Sequence, residues 1–312
     1  MTISPATFAW VADLVRRRSA IVLEPGKEYL VESRLVPLAR DAGLPDVDAF
    51  VARARRAPDE AVLDAVVEAL STHETSWFRD VAPFGALRDR VVPGWRAAAE
   101  PGRRLQVWSA ACSTGQEPFS LVMALTDQLA GAIDVLATDL SEPVLERARR
   151  GVYTQLEVNR GLPAPMLVRH MTRVGTAWQV ADDVRRAVTF RRHNLLDPPP
   201  WGPFDVVLLR NVLIYFDADA KRAVLEGVHR VLRPGGWLVL GAAETTTGLH
   251  DGFEREVVAG APLYRAVAPV VRAVPPAAPA HVAGLPAPRR PLVPVATSPG
   301  PTPPTVRGAR PC

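Results

Sequence analysis

The stretch Val107-Trp-Ser-Ala-Ala-Cys-Ser-Thr-Gly-Gln-Glu-Pro-Phe-Ser120 leads from a short apolar strand into the apolar-periodic segment Leu121 to Leu129. Small residues, one glycine and a proline at the helix start are how a chain brings bare backbone N–H groups up to a ligand. The G-x-G-x-x-G spacing that seats a dinucleotide pyrophosphate is missing, since Gly115 stands alone, and no Gly-Lys-Ser/Thr follows to make a phosphate loop. The remaining common occupant of such a turn is S-adenosylmethionine, whose groups would meet small side chains and the carboxylate of Glu117. A second acid, Asp139, ends the strand Ile133 to Thr138, about one βα unit further on. There a carboxylate can accept both ribose hydroxyls of an adenosine group, and a mere helix-capping role is the weaker alternative.

A second polar cluster lies upstream. Ser71-Thr-His-Glu-Thr-Ser-Trp-Phe-Arg-Asp80 joins two apolar helical segments and reads as the wall of a site. The competing expectation is that Thr72 and Glu74 to Ser76 only cap a helix beginning near Pro83. Two cysteines, Cys112 and Cys312, are too few for a disulfide framework or a zinc cage, so no metal is expected.

These residues need a scaffold, and the periodicity predicts one. Residues 1–85 read as a helical bundle, with Ser4-Pro5 opening a first helix and further helices near 27–41, 46–56 and 59–70. Residues 86–267 alternate strand and helix: strands at 105–108, 133–138, 188–190, 204–209 and 237–240, helices at 116–130 and 218–231, and a tight turn at Arg233-Pro-Gly-Gly236. A closing hairpin around Gly260-Ala-Pro262 completes the expected seven-stranded sheet with its last strand antiparallel. Residues 152–187 interrupt the alternation as a small insertion of β character. From 268 to 312 the chain is rich in Pro, Ala, Val and Arg and contains no acid, which predicts a disordered tail.

The formal charge of +4 comes almost wholly from arginine, because lysine occurs only at Lys27 and Lys221. A basic balance admits nucleic acid or an acidic protein as partner without choosing between them. Arg16 to Arg18 and the group Arg53, Arg55, Arg56 are either a solvated face or a docking surface for an acidic partner. No apolar run approaches the roughly 20 residues of a membrane span, and Met1-Thr-Ile-Ser-Pro5 lacks the features of a signal peptide. The expected compartment is the cytoplasm, without membrane insertion.

Six motifs in order carry a resemblance: Thr72-x-Glu-Thr-Ser-Trp-Phe-Arg-Asp80, Trp108 to Ser120, Ala137-Thr-Asp-Leu-Ser141, Asn194-Leu-Leu-Asp197, Arg210-Asn-Val-Leu-Ile-Tyr-Phe216 and Leu232-Arg-Pro-Gly-Gly236. Together they resemble the CheR-type chemoreceptor glutamate methyltransferases over residues 5–267. The resemblance implies an N-terminal all-α domain joined to a Rossmann-like S-adenosylmethionine-dependent methyltransferase domain with a small β-subdomain. It implies methyl transfer to glutamate side chains in the cytoplasmic signalling domain of chemoreceptors, leaving S-adenosylhomocysteine. It places cofactor contacts on His73, Thr75, Arg79, Glu117, Asp139, Asn194, Leu195, Asn211 and Val212, with Arg79 and Tyr215 nearest the methyl-transfer point. The basic clusters would then face acidic receptor helices. Three positions depart from the family, which usually has Asn at His73, Gly at Ala111 and Glu at Gln116.

A glutamate carboxylate, with an ordinary pKa near 4.3, is ionised at pH 7, so such a transfer needs alignment rather than a general base. Two rivals stand beside this expectation. Asp197-Pro-Pro-Pro-Trp201 resembles the Asp-Pro-Pro-Tyr signature of enzymes that methylate amino groups of DNA bases, but it precedes the strand 204–209, and Arg210-Asn211 holds the position that signature should occupy. The other rival is a catalytically weak, cofactor-binding signalling scaffold, for which His73 is the only support.

Overall fold

The computed structural model describes residues 3–200 and 202–267; the predicted tail lies outside the described residues. Four helices open the chain: α1 (Pro5–Ser19), α2 (Glu28–Asp41), α3 (Val47–Arg56) and α4 (Glu60–Leu70). Ser4 caps α1 by accepting the Thr7 N–H, and Asp46 and Asp59 cap α3 and α4 in the same way. Each helix turns one apolar face inward, and Val11, Val15, Val31, Leu35, Phe50 and Val66 form a common core. Burying side chains of this size contributes about 1.5–3 kcal/mol each, and this packing holds helices too short to be stable alone.

After the irregular segment 71–81 come α5 (Ala82–Ala86), a π-turn (Leu87–Val91) and α6 (Val92–Ala98). Then follow β1 (Leu105–Ala110), α7 (Gln116–Leu129), β2 (Ile133–Asp139) and α8 (Glu142–Arg150). The insertion holds β3 (Val152–Thr154), α9 (Gln155–Val158), α10 (Ala164–His170), β4 (Met171–Val174), β5 (Ala177–Val180) and α11 (Asp182–Arg186). The chain resumes with β6 (Val188–Arg192), β7 (Phe204–Leu209), α12 (Ala218–Val231), β8 (Leu232–Leu240), β9 (Phe253–Val258) and β10 (Ala261–Ala266).

The main sheet has seven strands in the order β6-β2-β1-β7-β8-β10-β9, and β3, β5 and β4 make a separate small sheet. β1 pairs in parallel with both β2 and β7, while β10 runs antiparallel to β8 and β9. Strand order therefore reverses beside β1, and in such sheets the crevice at the carboxyl ends of the strands at the reversal is the ligand position. Among the described residues, no helix is long and apolar enough to cross a membrane.

The structure amends several expectations. Arg233-Pro-Gly-Gly236 is not a turn ahead of a strand: Leu232 pairs with Phe204 and Trp237 with Val206, so the four residues bulge inside β8, helped by φ +76° at Gly235. The hairpin turn is Ala259-Gly260, and Pro262 already lies in β10. No side chain caps the helix near Pro83, which removes capping as the purpose of Thr72 and Glu74 to Ser76. Three short helices inside the insertion escaped the sequence reading, one of them opened by a Thr154/Glu157 capping box. Arg16 to Arg18 form ion pairs within the chain, with Asp217, with Asp13, and with Glu60 and Asp64 respectively, while the Arg16 and Arg17 side chains stay mostly exposed.

Candidate active site

A cleft of about 940 Å³, open mouth included, sits at the strand-order reversal, walled by the 71–79 segment, the loop after β1, the tip of β2, residues 193–195 and residues 210–216. His73, Thr75, Arg79, Glu117, Asp139, Asn194, Leu195, Asn211, Val212 and Tyr215 all line it, so residues spread over 140 positions of sequence meet in one place. Ser19 and Ile21 line it too, which brings the end of the helical bundle to the rim.

The loop after β1 is sharply bent. Ala111 and Ser113 take φ of +59° and +50°, and the Cys112 N–H donates to the Thr138 carbonyl at 2.9 Å. Gly115 has φ +91°, and a Cβ there would lie 2.9 Å from the Ala148 Cβ, so only glycine fits between the loop and α8. Burial pushes the Cys112 thiol well above its ordinary range, so it is no nucleophile at neutral pH.

Asp139 is buried at the tip of β2. Its Oδ2 accepts the Ser113 N–H at 2.8 Å and its Oδ1 the Ser141 N–H at 3.1 Å. Burial raises its carboxyl above the ordinary aspartate value despite these donors. Each oxygen keeps a lone pair for a further donor.

His73 connects this strand tip to the bundle. Its Nε2 lies 3.2 Å from Glu68 Oε1, close enough for an ion pair but not aligned as a hydrogen bond. Glu68 also accepts from the Ser141 hydroxyl at 2.6 Å, and the Ser113 hydroxyl donates to the His73 carbonyl at 2.8 Å. Burial disfavours the charged imidazole, but Glu68 and Asp139 outweigh it, and its pKa is raised. Burial likewise opposes ionisation of Glu68, yet His73 and Ser141 leave its carboxyl below the usual range.

Two arginines face the cleft with different commitments. The Arg210 guanidinium, buried, donates to Glu117 Oε2 at 3.0 Å, to Asp80 Oδ2 at 2.9 Å and to the Arg79 carbonyl at 2.6 Å. Glu117 is held from its other side by the Ser109 hydroxyl at 2.8 Å. Arg79 spends its guanidinium on one main-chain contact, to the Glu74 carbonyl at 3.2 Å, and forms no salt bridge among the described residues. It is therefore the cleft arginine free to meet an incoming carboxylate.

Sequence reasoning gave no role to Arg210, His193, Ser19, Ile21 or Glu68. Arg210 stood inside a quoted motif, but nothing local says that its partners lie 93 and 130 residues away. Asn194 reaches the bundle as well, donating to the Arg18 carbonyl at 2.7 Å.

The chain is also similar to known proteins. Residues 73–259 match the family described as CheR methyltransferase, SAM binding domain, and residues 6–71 match CheR methyltransferase, all-alpha domain. Chemotaxis protein methyltransferase Cher2 of Pseudomonas putida is 39% identical over 261 residues, 81% of this chain and 94% of the relative. Chemotaxis protein methyltransferase 1 of Pseudomonas aeruginosa is 40% identical over 275 residues, 85% of this chain and 100% of the relative. A chemotaxis protein methyltransferase of Vibrio parahaemolyticus is 37% identical over 262 residues, 81% of this chain and 94% of the relative.

Proposed function

The chain belongs to the CheR methyltransferase family, and from that premise we propose that its cleft transfers a methyl group from S-adenosylmethionine to glutamate side-chain carboxylates of chemoreceptors, giving glutamate methyl esters in chemosensory adaptation. The enzyme is S-adenosylmethionine-dependent, and its product from that cofactor is S-adenosylhomocysteine.

The residues present suit that cofactor. Asp139 offers two carboxylate oxygens with a lone pair each, as two ribose hydroxyls require. Leu195 and Val212 give apolar wall for a base, while Thr75, Asn194 and Asn211 offer polar groups beside it. We assign cofactor binding to these together with His73, Arg79 and Glu117. When bound, the cofactor supplies a methyl group activated by an adjacent sulfonium.

The chain's own residues do the aligning. The receptor glutamate arrives ionised, so no proton has to be removed from it. Arg79 anchors a carboxylate, of cofactor or substrate, and the Tyr215 hydroxyl holds the approaching oxygen. Arg210 neutralises and orients Glu117, keeping that wall rigid. Closing a receptor segment over the cleft strips water from the nucleophile. The substrate region that fits is an acidic helical surface of the receptor's cytoplasmic signalling domain, approached by Arg53, Arg55 and Arg56. The protein accordingly works in the cytoplasm.

The observation that carries this proposal is the convergence of Asp139, uncommitted Arg79 and Tyr215 on one cleft. Tyr215→Phe tests it. Removing a hydrogen bond to a charged group costs about 1.5–3 kcal/mol, so the transfer rate at saturating cofactor should fall about 10- to 100-fold, with cofactor Kd changed less than about twofold. An unchanged rate would remove Tyr215 from the mechanism.

A further inference from the structure

Glu244 does not line the cleft, yet it touches the main chain that carries half of it. It lies just past β8 and is 9% exposed. Its Oε2 accepts the N–H of Asn211 at 2.8 Å and of Gly241 at 2.7 Å, and its Oε1 accepts the N–H of Val212 at 2.9 Å and of Ile214 at 3.3 Å. Three of these four donors belong to the segment between β7 and α12, where a single 3-10 turn at Leu213–Tyr215 leaves most N–H groups without a helical or strand partner.

The carboxylate is suited to that task because it only accepts, and it can take several N–H groups at once. Asn211 at the start of the segment has φ +58°, a conformation that needs support from its surroundings. Gly241 makes room for the arrangement, since a Cβ there would stand 2.8 Å from Glu244 Oε2 and 2.9 Å from the Asn211 nitrogen. On the far side of Tyr215 a second anchor appears: the Val22 N–H donates to the Tyr215 carbonyl at 2.8 Å, beside the bridge between Ile21 and Phe216. Tyr215 is thus held between a buried carboxylate before it and a single β-bridge after it.

We propose that Glu244 is a positioning residue for methyl transfer, clamping the main chain of residues 211–214 so that the Tyr215 hydroxyl keeps its aim; this rests on the role given to Tyr215 above. Replacing the carboxylate by an amide puts an N–H₂ group against N–H donors and opens the clamp without changing its size.

A double-mutant cycle on the full chain tests the proposal, with methyl transfer to a chemoreceptor cytoplasmic fragment at saturating cofactor as the rate and amide hydrogen exchange as a second signal. Glu244→Gln should slow transfer about tenfold in the wild type, consistent with loss of charge-assisted hydrogen bonds, but less than about twofold in the Tyr215→Phe background. The Asn211 and Val212 amides should exchange at least about tenfold faster. Gly241→Ala, which presses on the clamp while keeping its carboxylate, should reproduce both effects if Glu244→Gln does not fold. Equal rate losses in both backgrounds, or unchanged exchange at Asn211 and Val212, would overturn the proposal. If Tyr215→Phe alone is silent, the tyrosine's role falls first and the clamp's purpose with it; if Tyr215→Phe is slow and the losses add, only the clamp falls.

Discussion

His73 ties the cleft wall to the helical bundle at the scale of a single side chain. The imidazole stands between Glu68 of the bundle and Asp139 of the sheet, and its pKa is raised above the ordinary 6.5. A folded-state pKa raised above the unfolded value stabilises fully below the unfolded pKa and stops contributing as pH rises through the folded one. Thermal unfolding of the wild type should therefore lose a component of stability as pH rises through and above 6.5. His73→Asn should lack that component; identical pH profiles for the two proteins would show that the ring is a bystander. His73 stood out in the sequence, but its pairing with Glu68 did not, because Glu68 alone reads as an ordinary polar residue of a helix. The place of Asp139 in the cleft was legible, since an acid ending a strand after a turn has a position as well as a type. The φ of +59° at Ala111 appears only in the structure, because alanine carries no signal of a left-handed backbone in the sequence.

Among elements, the long periodic helices and the buried strands were readable because their apolar repeats extend over many residues. The helices α9, α10 and α11 span four to seven residues, too few for any repeat to show. What matters for function is how the insertion grips the 71–80 wall. The Trp77 N–H donates to the Arg160 carbonyl at 3.0 Å, Arg160 pairs with Glu74, and Trp77 packs edge-on against Tyr153 with centroids 4.9 Å apart. Tyr153 in turn donates to the Thr114 carbonyl of the β1 loop at 2.7 Å. Gly161 permits this approach: its φ is +100°, and a Cβ would fall 2.2 Å from the Trp77 carbonyl oxygen. Gly161→Ala should lower unfolding free energy by about 2 kcal/mol or more, seen as a lower urea midpoint with an unchanged slope. An unaltered midpoint would mean that the wall and the insertion are not tightly joined.

Over the whole molecule, three parts that are distant in sequence supply one cleft. The bundle brings Ser19 and Ile21, the 71–80 segment brings His73 and Arg79, and the sheet brings Asp139 and Tyr215. Alternating strand and helix announced the sheet, and six spaced motifs announced the cofactor; the interlock of bundle and sheet through Arg16–Asp217 and Asn194–Arg18 did not show, because it joins residues 201 and 176 positions apart. Arg16 to Arg18 already pair with acids of the chain, whereas Arg55 and Arg56, exposed at the end of α3, form no salt bridge among the described residues and give the cleaner test of docking. Reversing both charges should weaken binding of a receptor fragment about 5- to 10-fold at low salt and reduce its salt dependence, with unfolding free energy changed by less than about 0.5 kcal/mol. Undiminished affinity would place the receptor elsewhere. The most direct measurement is transfer of label from methyl-labelled S-adenosylmethionine to a chemoreceptor cytoplasmic fragment from the same cell. Label released by mild base and mapping to glutamate side chains is the expected result; no transfer, or label in a base-stable linkage, would rule out a chemoreceptor glutamate methyltransferase.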